Sequence, residues 1–576
     1  MFSLEWIWVV LLAASIGASD ENDRLLWVQV FCKDTAVAKD AQVRIEEIRF
    51  PAHVDAVDGE WLWLGKAWVR RSDVMDPQEA IDYFTEQIRI NPSDASSRFG
   101  RGAAYLAKGG RLDSAIRVCS EAILRDPQHA LAFCYRGIAK AQKGQFAESF
   151  DDFAEAIRIE PRKAQIFCYR GITRLINRDA DNSVKDLTEA IRLDPNDSRA
   201  FDGRGSAWGT KGDFDAAVKD YTEAVRLNPR SAEAFYNRGV VRGKQGNAEA
   251  AIEDYTEAIR LYPPYADAYN NRGLRLEKGG NTVEAMKDYT EAIRLNPDNG
   301  APYFNRGRLW LARGEDTKAI KDFTEVIRIN PRYVKAYNDR GVAWEKKGNF
   351  EAASRNYSEA IRIDPEFALA YDNRGFLHLR EGRFADALKD ISESIRRDPN
   401  NATAYCHRGA VLLCQGEFGN AVKDLEISIR LNPENETAYS HRGAALLGQG
   451  EYESAEKDLE RAIRLDPNSI DALRCLAMLY ASCPEASFRN SVKAVELATK
   501  SCELSKWKDW RCISTLAAAC AEADDWTNAI KWQEKAIEST DQIKPHLKDH
   551  LELYRQHMPL RDPFKNLRGS TPAAMR

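Results

Sequence analysis

Small and apolar residues recur at helical spacing through most of the chain, and residues 232–263 show the pattern most clearly. The second half of this stretch predicts an amphipathic helix over about 249–261, whose apolar face carries Ala251, Tyr255, Ala258 and Ile259. The first half predicts a helix over about 234–245 that ends at Gly246, because glycine accepts left-handed backbone. Pro263 then stops the second helix. The stretch therefore predicts two helices joined by a tight turn.

The same stretch repeats along the chain. An Arg-Gly pair recurs in nine successive steps of 34 residues, and a proline follows each glycine by 24 residues. The arginines are Arg136, Arg170, Arg204, Arg238, Arg272, Arg306, Arg340, Arg374, Arg408 and Arg442. A helix pair this short cannot bury its apolar face alone, so its neighbours must cover it. The period predicts a stacked array rather than one globular core.

With the glycine of each Arg-Gly pair numbered as position 8, the unit resembles the tetratricopeptide repeat. That family carries an aromatic at position 4, glycine at 8, alanine at 20, an aromatic at 24, alanine at 27 and proline at 32. One repeat here has Phe235, Gly239, Ala251, Tyr255, Ala258 and Pro263 at those positions. The resemblance covers about four-fifths of the chain, by the repeat lengths typical of such arrays. It implies an all-α fold, an α-solenoid wound as a right-handed superhelix of helix-turn-helix repeats, with a small β segment before it.

Position 7 is arginine in every regular repeat, where the family usually has leucine. Position 23, sixteen residues later on the second helix, is aspartate in nine of the ten regular repeats and Asn356 in the other. A guanidinium and a carboxylate facing each other across a helix pair can form a bidentate ion pair. We predict structural pairs in every such repeat, among them Arg204 with Asp220, Arg238 with Asp254, Arg272 with Asp288 and Arg306 with Asp322.

Position 6 carries the candidate binding row. In the family the first helices line the concave face, and in protein O-linked sugar transferases an asparagine here holds an extended peptide by its backbone. An amide suits this role because it both donates and accepts hydrogen bonds. Alternatively, these side chains face water or bond within their own helix pair. The row reads Tyr135, Tyr169, Gly203, Asn237, Asn271, Asn305, Asp339, Asn373, His407 and His441.

The part before the array has a different pattern. Short alternating or aromatic-rich runs over 25–31, 41–50 and 60–69, with Asp58-Gly59 as a turn, predict a β-rich segment over 24–75. The tryptophans of the last run resemble those of small bacterial Src-homology-3-like barrels. We interpret the segment as a cap on the array, with a peptide groove as the alternative. A half repeat over 76–94 follows, starting at Asp76-Pro77, an N-cap with proline after it.

Residues 1–19 contain an apolar run followed by small residues, which is typical of a secretory signal. No basic residue precedes the run, and an uncleaved anchor or a misassigned start remain alternatives. The run is short for a bilayer span. We expect a secreted or periplasmic protein, or one anchored to a membrane through this segment only.

The array itself is expected over 95–469, as eleven repeats, the first irregular by one residue. Two degenerate repeats over 470–538 have alanine in place of the glycine, and a capping helix at about 546–557 lies within a final segment, 539–576, that ends in a disordered tail. This ending resembles that of long bacterial tetratricopeptide proteins, particularly planctomycete-type ones.

Composition excludes several function classes. The net charge is −5 and no basic stripe occurs, so we expect no nucleic-acid partner. The 11 cysteines fall mostly in predicted helices, and equivalent positions in adjacent repeats lie about 8–10 Å apart, too far for a disulfide framework. Cys406, His407 and His441 could meet as metal ligands, but no carboxylate accompanies them at a defined spacing. His546 and His550 have the separation of a metal-binding pair but lack the intervening acid of a metalloprotease motif. We therefore expect no metal site.

No nucleophile elbow, phosphate loop or acid pair is present, so we expect no enzyme, cofactor or small-molecule substrate. The predicted function is a scaffold that binds an extended peptide or a helix of a partner protein in its concave groove. A self-assembling envelope component and a targeting subunit for a separate enzyme remain alternatives. The sequence does not indicate the oligomeric state.

Overall fold

The computed structural model describes residues 75–540 and 545–561, together with the backbone of six short strands before them. The strands are β1 (Gln29–Cys32), β2 (Ala52–His53), β3 (Ala56–Asp58), β4 (Trp61–Trp63), β5 (Trp68–Arg70) and β6 (Val74–Met75). The predicted signal over 1–19 and the predicted strand over 41–50 lie outside the described residues. Of the disordered tail predicted from Pro559, only residues 559–561 are described, and Leu560 is buried there.

The strands form two antiparallel sheets of three strands, ordered β2-β1-β6 and β3-β4-β5. Asp58 pairs with Trp61, and this register of β3 and β4 is the one expected for a turn at Asp58-Gly59. The run predicted over 60–69 forms two strands, with Trp63 opposite Trp68. The next element, the half-repeat helix α1 (Pro77–Ile90), contacts β1 and β6. The β segment thus takes the place of the missing first helix.

The rest of the described chain is helical and consists of consecutive pairs, in which we call the first helix A and the second B. The pairs of the irregular and first regular repeats are α2 (Ala95–Lys108) with α3 (Leu112–Arg125), α4 (Ala130–Gln142) with α5 (Phe146–Ile159), α6 (Ala164–Ile176) with α7 (Ala180–Leu193), and α8 (Ser198–Lys211) with α9 (Phe214–Leu227). They continue as α10 (Ala232–Lys244) with α11 (Ala248–Leu261), α12 (Ala266–Lys278) with α13 (Thr282–Leu295), and α14 (Gly300–Ala312) with α15 (Asp316–Ile329).

The later pairs are α16 (Val334–Lys346) with α17 (Phe350–Ile363), α18 (Ala368–Arg380) with α19 (Phe384–Arg397), α20 (Ala402–Cys414) with α21 (Phe418–Leu431), and α22 (Glu436–Gln449) with α23 (Tyr452–Leu465). The degenerate repeats are α24 (Ile470–Ser482) with α25 (Ser491–Leu504), and α26 (Trp510–Glu522) with α27 (Trp526–Glu538). The connection between α24 and α25 contains a short 3-10 helix, Ala486–Phe488. The last helix, α28 (Pro545–Arg555), lies where the capping helix was expected.

Two glycine sites set the geometry of a regular pair, as the pair α12 and α13 illustrates. Gly280, in the turn, has a φ of +82°, which favours glycine over any residue with a Cβ. Gly273, on the A helix, lies so close to the B helix that an added Cβ would be 2.8 Å from Cε1 of Tyr289. Tyr289 is fully buried in the space that the glycine leaves. The repeat pattern thus encodes both the turn and the close approach of the helices.

Chain contacts divide the protein into two units, residues 1–306 and 307–576. Within each unit, every B helix contacts the A helices before and after it, and successive A helices also contact each other, for example α4 with α6 and α20 with α22. Successive A helices therefore lie closer to each other than successive B helices do, and the A helices line an inner face in each unit. This arrangement confirms the predicted α-solenoid of helix pairs.

Candidate functional site

The predicted ion pairs between positions 7 and 23 are present inside each unit. Arg272 donates from Nε and Nη2 to the two carboxylate oxygens of Asp288, at 2.8 Å each. The carboxylate is only 7% exposed and the arginine 20% exposed. The hydrogen bonds to Asp288 raise the pKa of Arg272. The pair is therefore a half-buried, charge-assisted link between the A and B helices of one repeat.

The same geometry recurs along both units. The shortest N–O distances lie between 2.6 and 2.8 Å. The pairs are Arg136–Asp152, Arg170–Asp186, Arg204–Asp220, Arg238–Asp254, Arg374–Asp390, Arg408–Asp424 and Arg442–Asp458. Arg306 and Asp322 belong to different units, and their pairing stays a prediction.

In the described part of the chain, all of these arginines except Arg170 and Arg442 also have a partner that the sequence analysis missed. Nη1 of Arg272 donates to Oγ1 of Thr256, sixteen residues earlier on the preceding B helix, at 3.1 Å. Arg340 does the same with Thr324 at 3.1 Å, and Arg374 with Ser358 at 2.9 Å. The signal was a threonine or serine at position 25 of most repeats. One guanidinium thus ties together two consecutive repeats as well as the two helices of its own.

Arg340 is the exception that position 23 predicted. Its partner is the neutral Asn356, whose Oδ1 accepts from Nε of Arg340 at 2.8 Å. Burial lowers the pKa of this arginine, whereas the pKa of Arg374, paired with Asp390, is raised. The difference follows from the missing carboxylate charge.

The position-6 side chains are half-buried on the A helices and reach back to position 5 of the preceding repeat. Nδ2 of Asn373, for example, donates to Oδ1 of Asn338, 35 residues earlier, at 2.9 Å. The other asparagines of the row donate in the same way, Asn237 to Asp202 at 3.3 Å, Asn271 to the hydroxyl of Tyr236 at 2.9 Å, and Asn305 to Asn270 at 3.1 Å. The row therefore links successive A helices, an arrangement that neither reading of the sequence included.

The remaining members of the row differ by side chain. Nδ1 of His407 lies 3.0 Å from Oδ1 of Asp372, and Nδ1 of His441 lies 3.9 Å from Sγ of Cys406. Asp339 accepts from its neighbour Asn338 at 3.1 Å. The rings of Tyr135 and Tyr169 pack edge to face with centroids 5.9 Å apart. Tyr135 is buried, which leaves Tyr169 as the more accessible of the two.

An amide that donates one N–H to the neighbouring repeat keeps a second N–H and can still meet a ligand. The half-buried asparagines are held in one orientation by these bonds, which would reduce the entropy lost on binding. Peptide binding by this row remains a prediction.

Two carboxylates on the inner face of the first unit stand out. Asp202 accepts from Nδ2 of Asn237 at 3.3 Å, and Asp267 accepts from Nδ2 of Asn299 at 3.2 Å. Among the described residues, these neutral amides are the hydrogen-bond donors to both carboxylates, in contrast to the arginines that bind the position-23 acids. Burial raises the pKa of each carboxyl to about 6. Within the part of the chain that the structure describes, the inner face of the first unit thus holds two carboxylates that contact amides and not cationic side chains.

The structure also bears on metal sites, disulfides and membrane spans. Within the described part of the chain, no three His, Cys, Asp or Glu side chains converge as metal ligands. The described cysteines are free thiols, and burial raises the pKa of several, including Cys119. None of the described helices combines the length and the apolar character that a bilayer span requires.

Family models agree with the repeat pattern. Models described as tetratricopeptide repeat match residues 71–130, 204–266, 241–300 and 270–334, and also 368–401 and 437–469. A model described as TPR repeat matches residues 345–382. Among curated proteins, Superkiller protein 3 of Saccharomyces cerevisiae is 33% identical over 76 residues, which is 13% of this chain. That match spans only 5% of the length of the yeast protein.

Solved structures that are similar to parts of this chain include the APC/C hetero-tetramer Cut9-Hcn1, which is 13% identical and aligns over 83% of this chain and 96% of the other, with a TM-score of 0.46. A tetratricopeptide repeat protein from Parabacteroides merdae is 23% identical over 43% of this chain and 98% of its own, with a TM-score of 0.37. YrrB, described as a TPR protein with an unusual peptide-binding site, is 26% identical over 34% of this chain and 100% of its own, with a TM-score of 0.27.

Proposed function

Because this chain is built of tetratricopeptide repeats, a fold that generally serves as a protein-interaction scaffold, we propose that it binds an extended peptide or a helix of a partner protein. The binding surface is the inner face of the A helices. The role is non-enzymatic, and it is exercised outside the cytoplasm or at a membrane surface if residues 1–19 act as the signal or anchor that they resemble.

The observation that carries the proposal is the uncompensated charge of the inner face. Asp202 and Asp267 contact neutral amides, while the acids at position 23 contact arginines. A desolvated carboxylate without a cation is unfavourable for the free protein. A peptide that brings basic side chains to this face would relieve that cost. We therefore propose a partner segment with basic residues between its apolar ones.

The test uses two isosteric changes, Asp202→Asn and Asp267→Asn, in the full chain. Partner proteins captured from an extract are identified, and basic peptides from them are titrated by fluorescence anisotropy. We expect the double variant to bind about tenfold more weakly, the effect of losing one charged hydrogen bond or more. The control is Glu249→Gln with Glu253→Gln, which removes the same charge from exposed positions on α11.

Equal binding by the double variant and the wild type would refute the inner-face site. A chain that captures no partner but forms concentration-dependent oligomers, unchanged by Asn271→Ala, would support the self-assembling alternative instead. Co-purification of one enzyme would identify the targeting-subunit alternative. In this function the β segment, which is predicted to be Src-homology-3-like, serves as a cap on the array.

A further inference from the structure

A polar cavity of about 270 Å³ opens on the second unit, between α22, the turn after α23 and the start of α24. The side chains that matter for its chemistry are Glu436, Ser440, His441, Asp466, Ser469 and Asp471. Pockets for drug-sized ligands usually exceed about 300 Å³. The cavity is therefore of a size for one side chain of a larger ligand.

The wall of the cavity is negatively charged. Glu436 accepts from the hydroxyls of Ser469 and Thr437, and Asp466 accepts from the backbone N–H of Asn468 at 2.9 Å. Among the described residues, the cations near these carboxylates are Arg474, whose Nη2 lies 3.4 Å from Asp471, and Arg511, which interacts with Asp471 and is paired with Asp509. The three carboxylates of the cavity and Asp509 against two guanidinium groups leave a net negative charge.

Ser440 gives a second, independent indication of a ligand. Its residue is 3% exposed, and among the described residues its Oγ has no hydrogen-bond partner. Buried hydroxyls without a partner are rare in folded proteins, because the lost hydration is not replaced. Ser440 is one of the residues that line the same cavity. A donor that reached its Oγ from the cavity would satisfy it.

The neighbouring histidine does not supply the missing positive charge. His441 lies with Nδ1 3.9 Å from Sγ of Cys406. Burial lowers its pKa, so the ring is neutral at neutral pH. The residues that line the cavity thus offer carboxylate, hydroxyl and amide acceptors, and none of these lining residues is a cation at neutral pH.

We propose that this cavity binds a primary ammonium group, as on a lysine side chain of a peptide lying along the inner face. An ammonium carries three donors and no acceptor, which matches a wall of acceptors around Oγ of Ser440. The proposal rests on the peptide-binding function above and names one of its contacts. A metal ion is the less suitable cation, because the described acids and histidines do not converge as a set of three ligands.

The experiment titrates the full chain with a pentapeptide, Gly-Ser-Lys-Ser-Gly, acetylated and amidated at its ends, and detects binding by saturation-transfer NMR. A matched peptide has norleucine in place of lysine, and a third has the norleucine and a free N-terminal amine. We expect the lysine peptide to bind about tenfold more tightly than the acetylated norleucine peptide, as one charged hydrogen bond predicts. Binding by the free-amine peptide alone would identify an N-terminus as the source of the ammonium.

Two variants locate the site. Ser440→Ala removes the hydroxyl and should weaken the lysine peptide about fivefold without lowering Tm, since the lost group has no partner in the free protein. Glu436→Gln should weaken it about tenfold. Glu434→Gln is the matched control: this exposed residue lies two positions away and does not line the cavity.

Equal binding of the lysine peptide and the acetylated norleucine peptide would overturn the proposal, as would unchanged binding by Ser440→Ala and Glu436→Gln together. Displacement of the lysine peptide by micromolar Zn²⁺ in wild type but not in Glu436→Gln would assign a metal site in its place. Loss of the lysine preference while partner capture through Asp202 and Asp267 persists would refute only this cavity and leave the proposed function intact.

Discussion

At the scale of single residues, the protein separates two uses of acidic side chains. In the ion pairs between A and B helices, which we call wall pairs, the carboxylate meets a guanidinium that in most repeats also bonds to the preceding repeat. On the inner face, Asp202 and Asp267 meet neutral amides. The first arrangement stabilises the array, and the second leaves charge available for a partner.

The wall pairs should contribute measurably to stability. Asp288→Ala leaves the half-buried Arg272 without its two strongest hydrogen bonds, and we expect a loss of about 2 kcal/mol in the local free energy of opening. Hydrogen exchange of α12 and α13 measures it. The control, Glu291→Ala, removes an exposed partner of Arg294 and should cost at most about 0.5 kcal/mol. Equal losses would contradict the structural role of the pair.

The exception at position 23 offers a gain instead. Asn356→Asp would give Arg340 the carboxylate that the other repeats have, and we expect about 1 kcal/mol of added local stability at pH 7. The change should also raise the lowered pKa of Arg340. Slower hydrogen exchange in α16 and α17 would show the gain. A loss of stability would mean that the bond from Nδ2 of Asn356 to the Ala352 carbonyl, 2.8 Å long, matters more.

The inner carboxylates predict a pH dependence of stability. Each has a folded pKa of about 6, above the ordinary value of about 3.9. Between these values the folded state holds more protons than the unfolded state, so this contribution to stability falls as pH rises from about 4 to about 6. It is fully lost above about 6. In the variant with Asp202→Asn and Asp267→Asn, thermal melts should show a higher Tm at pH 7 and no gain at pH 4.

At the scale of the helix pair, a glycine follows the A helix of most regular repeats. The turn of the pair α12 and α13 offers two adjacent glycines with opposite requirements. Gly280 has a φ of +82° and Gly279 has a φ of −81°. A Cβ at Gly279 would meet its nearest neighbours, two carbonyl oxygens, at an ordinary 3.6 Å, and the space around Gly280 is open within 4 Å. Backbone conformation, not space, therefore distinguishes the two positions.

We predict opposite effects for the two substitutions. Gly280→Ala should lower the stability of the pair by about 1–2 kcal/mol, because a Cβ disfavours the left-handed conformation. Gly279→Ala should raise it by about 0.4–1 kcal/mol through the lower entropy of the unfolded chain. Urea unfolding of both variants, compared with wild type, tests the difference. Equal effects would show that the turn does not need glycine at position 280.

At the scale of the whole molecule, stability is distributed along the array because each repeat mainly contacts its neighbours. The last repeat depends on α28, which buries Leu547, Leu551 and Tyr554 against it. The buried Gln533 of α27 also donates to the Leu547 carbonyl at 2.9 Å. This helix covers a face that the next repeat would cover elsewhere.

Removing that cover should have a local effect. In the triple variant Leu547→Ala, Leu551→Ala, Tyr554→Ala, we expect hydrogen exchange to accelerate at least tenfold in α26 and α27, since each lost buried side chain costs about 2–5 kcal/mol. Exchange in α4 to α7 should remain as in wild type. A uniform acceleration through both units would contradict the nearest-neighbour description of the array.

The sequence by itself determined the repeat, the two helices of each repeat, the turn and the partners of the wall pairs. All of these are encoded within about one period, where spacing fixes which side chains face each other. Arg272 and Asp288 could be paired from the sequence because sixteen residues lead from the A helix through the turn to the facing part of the B helix in the same repeat. The contact of Arg272 with Thr256 could have been predicted in the same way, since a threonine or serine lies sixteen residues before the arginine in most repeats.

Only the tertiary structure decided the contacts and the burial on the inner face. Asn373 bonds to Asn338 because consecutive A helices approach closely on the inner face, and the depth of that contact depends on every side chain packed between them. Asp202 and Asp267 likewise contact amides and not cationic side chains, and the hydroxyl of Ser440 has no hydrogen-bond partner among the described residues. Both results depend on how the side chains pack. Spacing along a chain reports which residues share a face, whereas desolvation is a property of the packed molecule.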